Sequence, residues 1–513
     1  MPPPAFHRGS VVGSLRSWGP TSARSIAIAI ALSIALAAVI VELSTRATVP
    51  FGFAVGSATL GIAAFPILRR LLTRTFDIFE PVVAGCAMLA VLFGARPIWM
   101  VMSQDLTADQ GSDGIFDISA LFNQVTVLGL LGTLCFVAGY ELTVRRRWRG
   151  TRAQPSSTAF PIDRDGFRAF ALAACSLGVG LFLLHLELGG GVVQSLRLLV
   201  AGRSGGVTEQ TLSSSEYLSA APILIACVAI VLVAVRGTQM TRPEKAAAFI
   251  AALVPAVLAL LLGNRRFVIP SVVIPVVVYY LAAGRRPSFS RLVVLVPIIF
   301  IILSTLVFAR SSGARQQSGG VAPIFAEAFA RPVDSWRTFI GGHDTAMVAW
   351  LGVEIESINS GATSHTYGKA VFGDLLLAPI PSQIVPGKPI TARDGLLVDI
   401  FGGRCVEGSC PDFSAIGTFY QDFAYPGVIL GMFLLGAGAA RAWRHFLSAP
   451  NDPRAMALAA AVAVFVPIVI RAGFMPGVAW FLYFVVPSAV GLHFAVLRSN
   501  CVGAREVARV SES

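Results

Sequence analysis

The sequence predicts an all-α protein, a polytopic bundle of about twelve transmembrane helices with one large external loop between the ninth and the tenth. Three observations predict it. The chain of 513 residues has a mean hydropathy of +0.73 and is 55% hydrophobic but only 13% charged, about half the charge fraction of a soluble chain. Its apolar residues fall in runs of about 20, the length that crosses a bilayer. Its basic residues rise and fall in density from one inter-run segment to the next, as positive-inside topology requires. The net charge of +12 and the pI near 9.9 would point to nucleic acid in a soluble protein. Here the cations flank apolar runs, so the charge reads as topology and no nucleic-acid partner is expected.

Residues 1–24, rich in Pro, Ser and Arg, read as a disordered cytoplasmic N-terminus. The run at 25–44 is long enough to span and lacks the small-x-small site of a cleaved signal, so it reads as the first helix. Further spans are expected at 49–68, 79–95, 119–141, 168–187, 217–235, 246–263, 267–283 and 291–309, then at 424–441, 455–472 and 477–497, with a cytoplasmic tail at 498–513. Only Asn264, Arg265 and Arg266 separate the seventh span from the eighth. With both termini in the cytoplasm of a cell with a plasma or inner membrane, the cytoplasmic segments hold 25 Lys and Arg residues and the short external loops 7. The spans themselves are nearly free of charge. The segment 310–423, about 114 residues, is too long for a simple connection and is expected outside the cytoplasm. Its Phe/Trp/Ile-rich stretches at 332–340 and 346–355 predict short helices packed over the bundle.

Arginines on the outer side defy the charge rule and are the first candidates for chemistry. Arg265 and Arg266 sit side by side at a tight outer turn, where two guanidinium forks suit a lipid diphosphate; the alternative is snorkelling to lipid head groups. Arg310 and Arg315 follow the ninth span, and Arg331 and Arg337 flank Asp334 and Trp336; each is either a phosphate ligand or a solvated surface charge. His343 beside Asp344 suits a general base, with His365, Glu354 and Glu356 as alternatives and a surface or capping pair as the plain reading. His185, in an apolar run, reads as a helix contact. Cys405 and Cys410, with four residues between them, are a disulfide candidate if the outer side is oxidising. No Cys/His spacing suits a metal and no Gly-Lys-Ser/Thr phosphate loop is present, so neither metal nor cofactor is expected.

Two stretches resemble a known family. Thr366-Tyr367-Gly368, followed by Ala378-Pro379-Ile380-Pro381-Ser382-Gln383 and Pro386-Gly387-Lys388-Pro389, is similar to a recurrent piece of the O-antigen polymerase (Wzy-type) and oligosaccharide repeat-unit polymerase families. Gly417-Thr418-Phe419-Tyr420-Gln421-Asp422-Phe423-Ala424-Tyr425-Pro426-Gly427 resembles the family's entry into its next span, with Thr418 for the usual Glu, Asp422 for Asn and Ala424 for Gly. Gly263-Asn264-Arg265 is similar to the family's Gly-x-Arg at an outer turn. The order of these motifs, with one large loop late in the chain, is more specific than any one of them.

The resemblance implies a GT-C-like membrane glycosyltransferase without nucleotide sugars or metal. A glycan on an undecaprenyl diphosphate carrier would pass, outside the cytoplasm, to the end of another lipid-linked repeat unit. It places Lys388 and Tyr420 among the binding candidates and implies a flippase and a chain-length regulator as partners, besides the lipid-linked oligosaccharide and the bilayer. The nearest alternative is an O-antigen ligase-like enzyme with the same donor and a different acceptor. Another is a transporter or flippase of lipid-linked glycans, which the scarcity of charge within the spans disfavours.

Overall fold

In lipid, a helix satisfies every backbone N–H and C=O within its own segment, so long apolar runs fold as helices. A computed structural model of the chain describes residues 51–109, 115–145, 163–188, 191–194, 218, 220–261, 265–285, 287, 330, 345–377, 391–401 and 412–511. In chain order these residues form α1 (Phe51–Leu72) and α2 (Pro81–Ser103, with a π-helical turn at Ala90–Ala95), then β1 (Thr107–Asp109) paired antiparallel with β2 (Ile115–Asp117). There follow α3 (Phe122–Arg145), α4 (Arg164–Leu188), α5 (Ile223–Arg236), α6 (Arg242–Leu261) and α7 (Arg265–Ala282). Next come α8 (Met347–Asn359), a π-helical turn at Lys369–Gly373 leading into α9 (Asp374–Leu377), α10 (Ala392–Phe401), α11 (Ala415–Ser448), α12 (Pro453–Ala472) and α13 (Phe474–Ser511).

The chain is a helical, multi-pass membrane protein. Among the described residues, seven helices are long and apolar enough to cross a membrane, namely α1 to α4 and α11 to α13. Each coincides with an expected span. The expected spans at 217–235, 246–263 and 267–283 also meet helices, although α5 and the apolar part of α7 are shorter than a full crossing. The expected spans at 25–44 and 291–309 lie outside the described residues. The segment 498–511, expected as a tail, continues α13. Leu172, Leu177 and Leu183 on α4, Phe249, Leu253 and Val257 on α6, and Leu430 and Leu434 on α11 are exposed, the apolar outer surface a bilayer covers.

Two buried clusters hold the bundle together. One joins α1, α2, α3, α8 and α11; the other joins α5, α7, α12 and α13. Helix α3 runs alongside α11 in direct backbone contact. A β-carbon at Gly139 would collide with the Phe433 carbonyl, and one at Gly436 with the Phe136 carbonyl. Small residues that admit such an approach are how membrane helices pack without a hydrophobic driving force between them.

Helix α8 overlaps the expected helix at 346–355, and its Val348, Ala349, Trp350, Leu351, Val353 and Ile355 are all buried. One feature departs from the expectation. Arg70, read from sequence as a loop charge that sets topology, is buried. Its guanidinium holds Glu80 at 2.6 and 2.7 Å and Glu141 at 2.6 Å. Arg69 takes the second Glu141 oxygen at 2.7 Å, and the Tyr140 hydroxyl donates to Glu80 at 3.0 Å. Two arginines and two glutamates thus close a neutral network tying the ends of α1 and α3 to the start of α2. Pairing of this kind is what lets charge persist in a buried position.

Candidate functional site

At the opposite end of the bundle, Pro426 breaks α11. It has no N–H for the Asp422 carbonyl, and its ring clashes with that carbonyl in a regular helix. The backbone leaves the helix at Phe423 (φ −140°) and Ala424 (φ 51°). The carbonyls of Gln421 and Asp422 are thereby freed, and the chain at 365–367 uses them. Thr366 N–H donates to the Gln421 carbonyl at 3.0 Å and Tyr367 N–H to the Asp422 carbonyl at 3.2 Å. His365 Nδ1 lies 3.2 Å from the Gln421 carbonyl. A carbonyl only accepts, so Nδ1 is the donor in this contact.

The buried Asp422 side chain fixes the same segment. It accepts from the Thr366 hydroxyl, from Ala370 N–H at 3.0 Å and from Val371 N–H at 2.8 Å, so a carboxylate caps the N-terminus of the π-helical turn. The turn into it needs a left-handed backbone at Tyr367 (φ 47°) and Gly368 (φ 93°). A β-carbon at Gly368 would also press on the Phe423 ring at 3.4 Å. Around this latch, Gln421 donates to the Ala392 carbonyl at 3.3 Å and Asp374 accepts from Ala392 N–H at 2.8 Å, which positions α10. Ser414 caps α11 by accepting from Gly417 N–H at 3.2 Å. Thr418 accepts from Phe474 N–H at 3.3 Å, and Asp412 meets Arg471 at 3.4 Å.

Glu354 stands at the centre. It projects from α8 toward α11 where Gly417 offers no side chain; a β-carbon there would collide with Glu354 Oε2. The residue is 0% exposed, and among the described residues neither carboxylate oxygen has a hydrogen-bond partner. Burial pushes its carboxyl up to about 8. An acid left alone in an apolar site takes up a proton rather than bear the cost of an unsolvated charge, so burial favours the protonated form of Glu354. Tyr420, one turn along α11 from Gly417, is buried within electrostatic reach of Glu354 and beside Gln124 of α3. The His365 ring meets the Tyr420 ring edge to face at 5.7 Å, and Tyr420 meets Tyr425 at 5.9 Å.

Of the residues singled out from sequence, the structure brings Glu354, His365 and Tyr420 together. Glu356, two residues from Glu354, is exposed. Arg265 and Arg266 open α7, and their side chains lie outside the described residues. So do His343, Asp344, Arg310, Arg315, Arg331, Arg337, Lys388, Cys405 and Cys410. Asp422, Gln421 and Gly417 were quoted within a motif but not as site residues; the signal in sequence was Pro426, which marks where carbonyls become free. Among the described residues no group of His, Cys, Asp and Glu is placed to hold a metal.

The latch makes a direct prediction. Asp422→Ala removes charge-assisted hydrogen bonds worth about 1.5–3 kcal/mol, which raises exchange of the Ala370 and Val371 amides about 10- to 100-fold. Hydrogen–deuterium exchange reads this. Unchanged protection at both amides would mean that the turn is held by other contacts.

Comparison with protein-family models, with characterised proteins and with solved structures finds no match.

Proposed function

We propose that this chain polymerises lipid-linked oligosaccharide repeat units by glycosyl transfer at the outer face of a plasma or inner membrane. The full bundle in this reading has twelve spans, both termini in the cytoplasm, and the end bearing α8 outside. The observation that carries the proposal is Glu354, a fully enclosed carboxyl without a hydrogen-bond partner among the described residues, set in the part of the chain that holds the polymerase-like motifs. The acceptor hydroxyl attacks the anomeric carbon, the bond from that carbon to the carrier diphosphate breaks, and the proton passes to the Glu354 carboxylate. A base works best with a pKa near the working pH. With its carboxyl at about 8, Glu354 is ionised in about one molecule in ten at pH 7. His365, through Nε2, is the second candidate for the proton. Arg265 and Arg266 are proposed to bind the diphosphate as it leaves, a charge that bidentate guanidinium groups stabilise.

The enclosure of Glu354 also favours a second reading. An ionisable group shut inside a membrane bundle is a common element of proton-coupled transport, which would make the chain a transporter of lipid-linked glycans.

The test is made on a strain lacking the protein, by sizing its surface polysaccharide on a gel and extracting the lipid-linked precursors. Loss of long polymer with single repeat units accumulating outside is the expected result. Long polymer still bound to the carrier would make the chain a ligase, and precursors held on the cytoplasmic face would make it a transporter.

A further inference from the structure

The segment that Asp422 latches down is built inside out for a surface facing water. Its buried face carries Gly368, Ala370, Val371 and the Asp374 carboxylate. Its outward face carries Tyr367, Phe372 and Leu376, with Phe372 64% and Leu376 76% exposed, and Lys369 on the same turn. A water-facing turn has the opposite polarity. The exposed apolar side chains are not isolated either. A β-carbon at Gly368 would lie 3.4 Å from both the Phe372 ring and the half-exposed Phe423 ring, so the two rings flank one bare patch of backbone. The segment packs against α11 and α13. Below it, α11 exposes Leu430 and Leu434, and α13 exposes Leu482, Val486, Val490 and Phe494 at four-residue spacing. The outward face of the segment therefore continues the apolar surface that two membrane-spanning helices present to lipid.

We infer that Lys369–Leu377 is an interfacial segment seated in the lipid bilayer, with Phe372 and Leu376 in the acyl region and Tyr367 and Lys369 at the level of the head groups. The partner is the bilayer itself. Tyrosine rings favour that depth, and a lysine whose stem lies along apolar surface reaches head-group phosphate with its ammonium; the Lys369 stem lies where a β-carbon at Gly373 would touch it. Asp422 joins this segment to the helix turn bearing Tyr420, so contact with lipid and the position of Tyr420 are mechanically linked. The inference stands whether the chain is a polymerase, a ligase or a transporter.

The experiment places a photoreactive phenylalanine analogue at position 372, 376, 430 or 356 of the full chain in cell membranes carrying radiolabelled phospholipid. Position 430 is the control for lipid contact, being 60% exposed on α11, and position 356 the control for an exposed site on α8. Adducts are counted on the monodisperse fraction of each variant, so that only folded protein contributes. The expected result is lipid adducts at 372 and 376 within about threefold of those at 430 and about tenfold above those at 356. Lipid adducts at 372 and 376 no higher than at 356 would overturn the inference. So would adducts at these positions with another protein, which would make the face a subunit interface instead.

Discussion

At pH 8.5 the Glu354→Gln variant is expected to melt about 5–10 °C above the parent chain, and the difference is expected to vanish near pH 5. The carboxyl sits at about 8 in the folded chain against 4.5 for an ordinary glutamate. Between those values the folded state keeps a proton that the unfolded state has lost. Stability therefore falls as pH rises through this window, is constant above it, and is restored below 4.5. Each unit of difference corresponds to about 1.4 kcal/mol, so the full loss approaches about 5 kcal/mol. Glutamine is neutral throughout and of the same shape, so the variant lacks the slope. The same substitution removes the proton acceptor and is expected to lower polymer formation about 10²- to 10⁴-fold. Melting midpoints in detergent at pH 5, 6.5 and 8.5 are the measurement. Equal pH dependence of the two chains would mean that Glu354 is ionised and partnered in the fold.

The second large effect is at the other end of the bundle. Arg70→Ala removes the guanidinium that bridges Glu80 and Glu141, while the Arg69 contact to Glu141 remains. An uncompensated buried charge costs about 3–5 kcal/mol, so the variant is expected to extract as aggregated or early-melting protein. Arg70→Lys rescues only in part, because one ammonium cannot replace a fork that binds Glu80 through two nitrogens and Glu141 through a third atom. Size-exclusion profiles and melting midpoints after extraction decide it. A midpoint within about 1 °C of the parent would show that the network contributes nothing net to the fold, as many ion pairs do.

The helices at 49–68, 119–141 and 455–472 were legible because a long unbroken apolar run has one stable form in lipid. The break in α11 was not legible: the span was expected to start at 424, and the helix instead begins at Ala415 and is interrupted at Phe423–Ala424, ahead of Pro426. The helix α8 was legible as an apolar stretch, but which of Glu354 and Glu356 is enclosed was not: the bare Gly417 across the contact makes room for Glu354. The site was hidden for the same reason. Thr366 and Asp422 meet across 56 residues of sequence, and no spacing rule links them. Arg70 was counted as a topological charge because the charge rule registers position and sign but not pairing.

The backbone contact between α3 and α11 has a mechanical consequence. Packed helices shear past one another when a layer of side chains between them can exchange rotamers. At Gly139 and Gly436 there is no such layer, so the two helices behave as one strut. Tyr420 stands near one end of it, and at the other Arg444 donates to the Thr143 carbonyl at 2.9 Å. A strut transmits displacement without absorbing it. Displacement between helices is therefore taken up elsewhere, at the turn at Phe423–Ala424 and at contacts made through side chains.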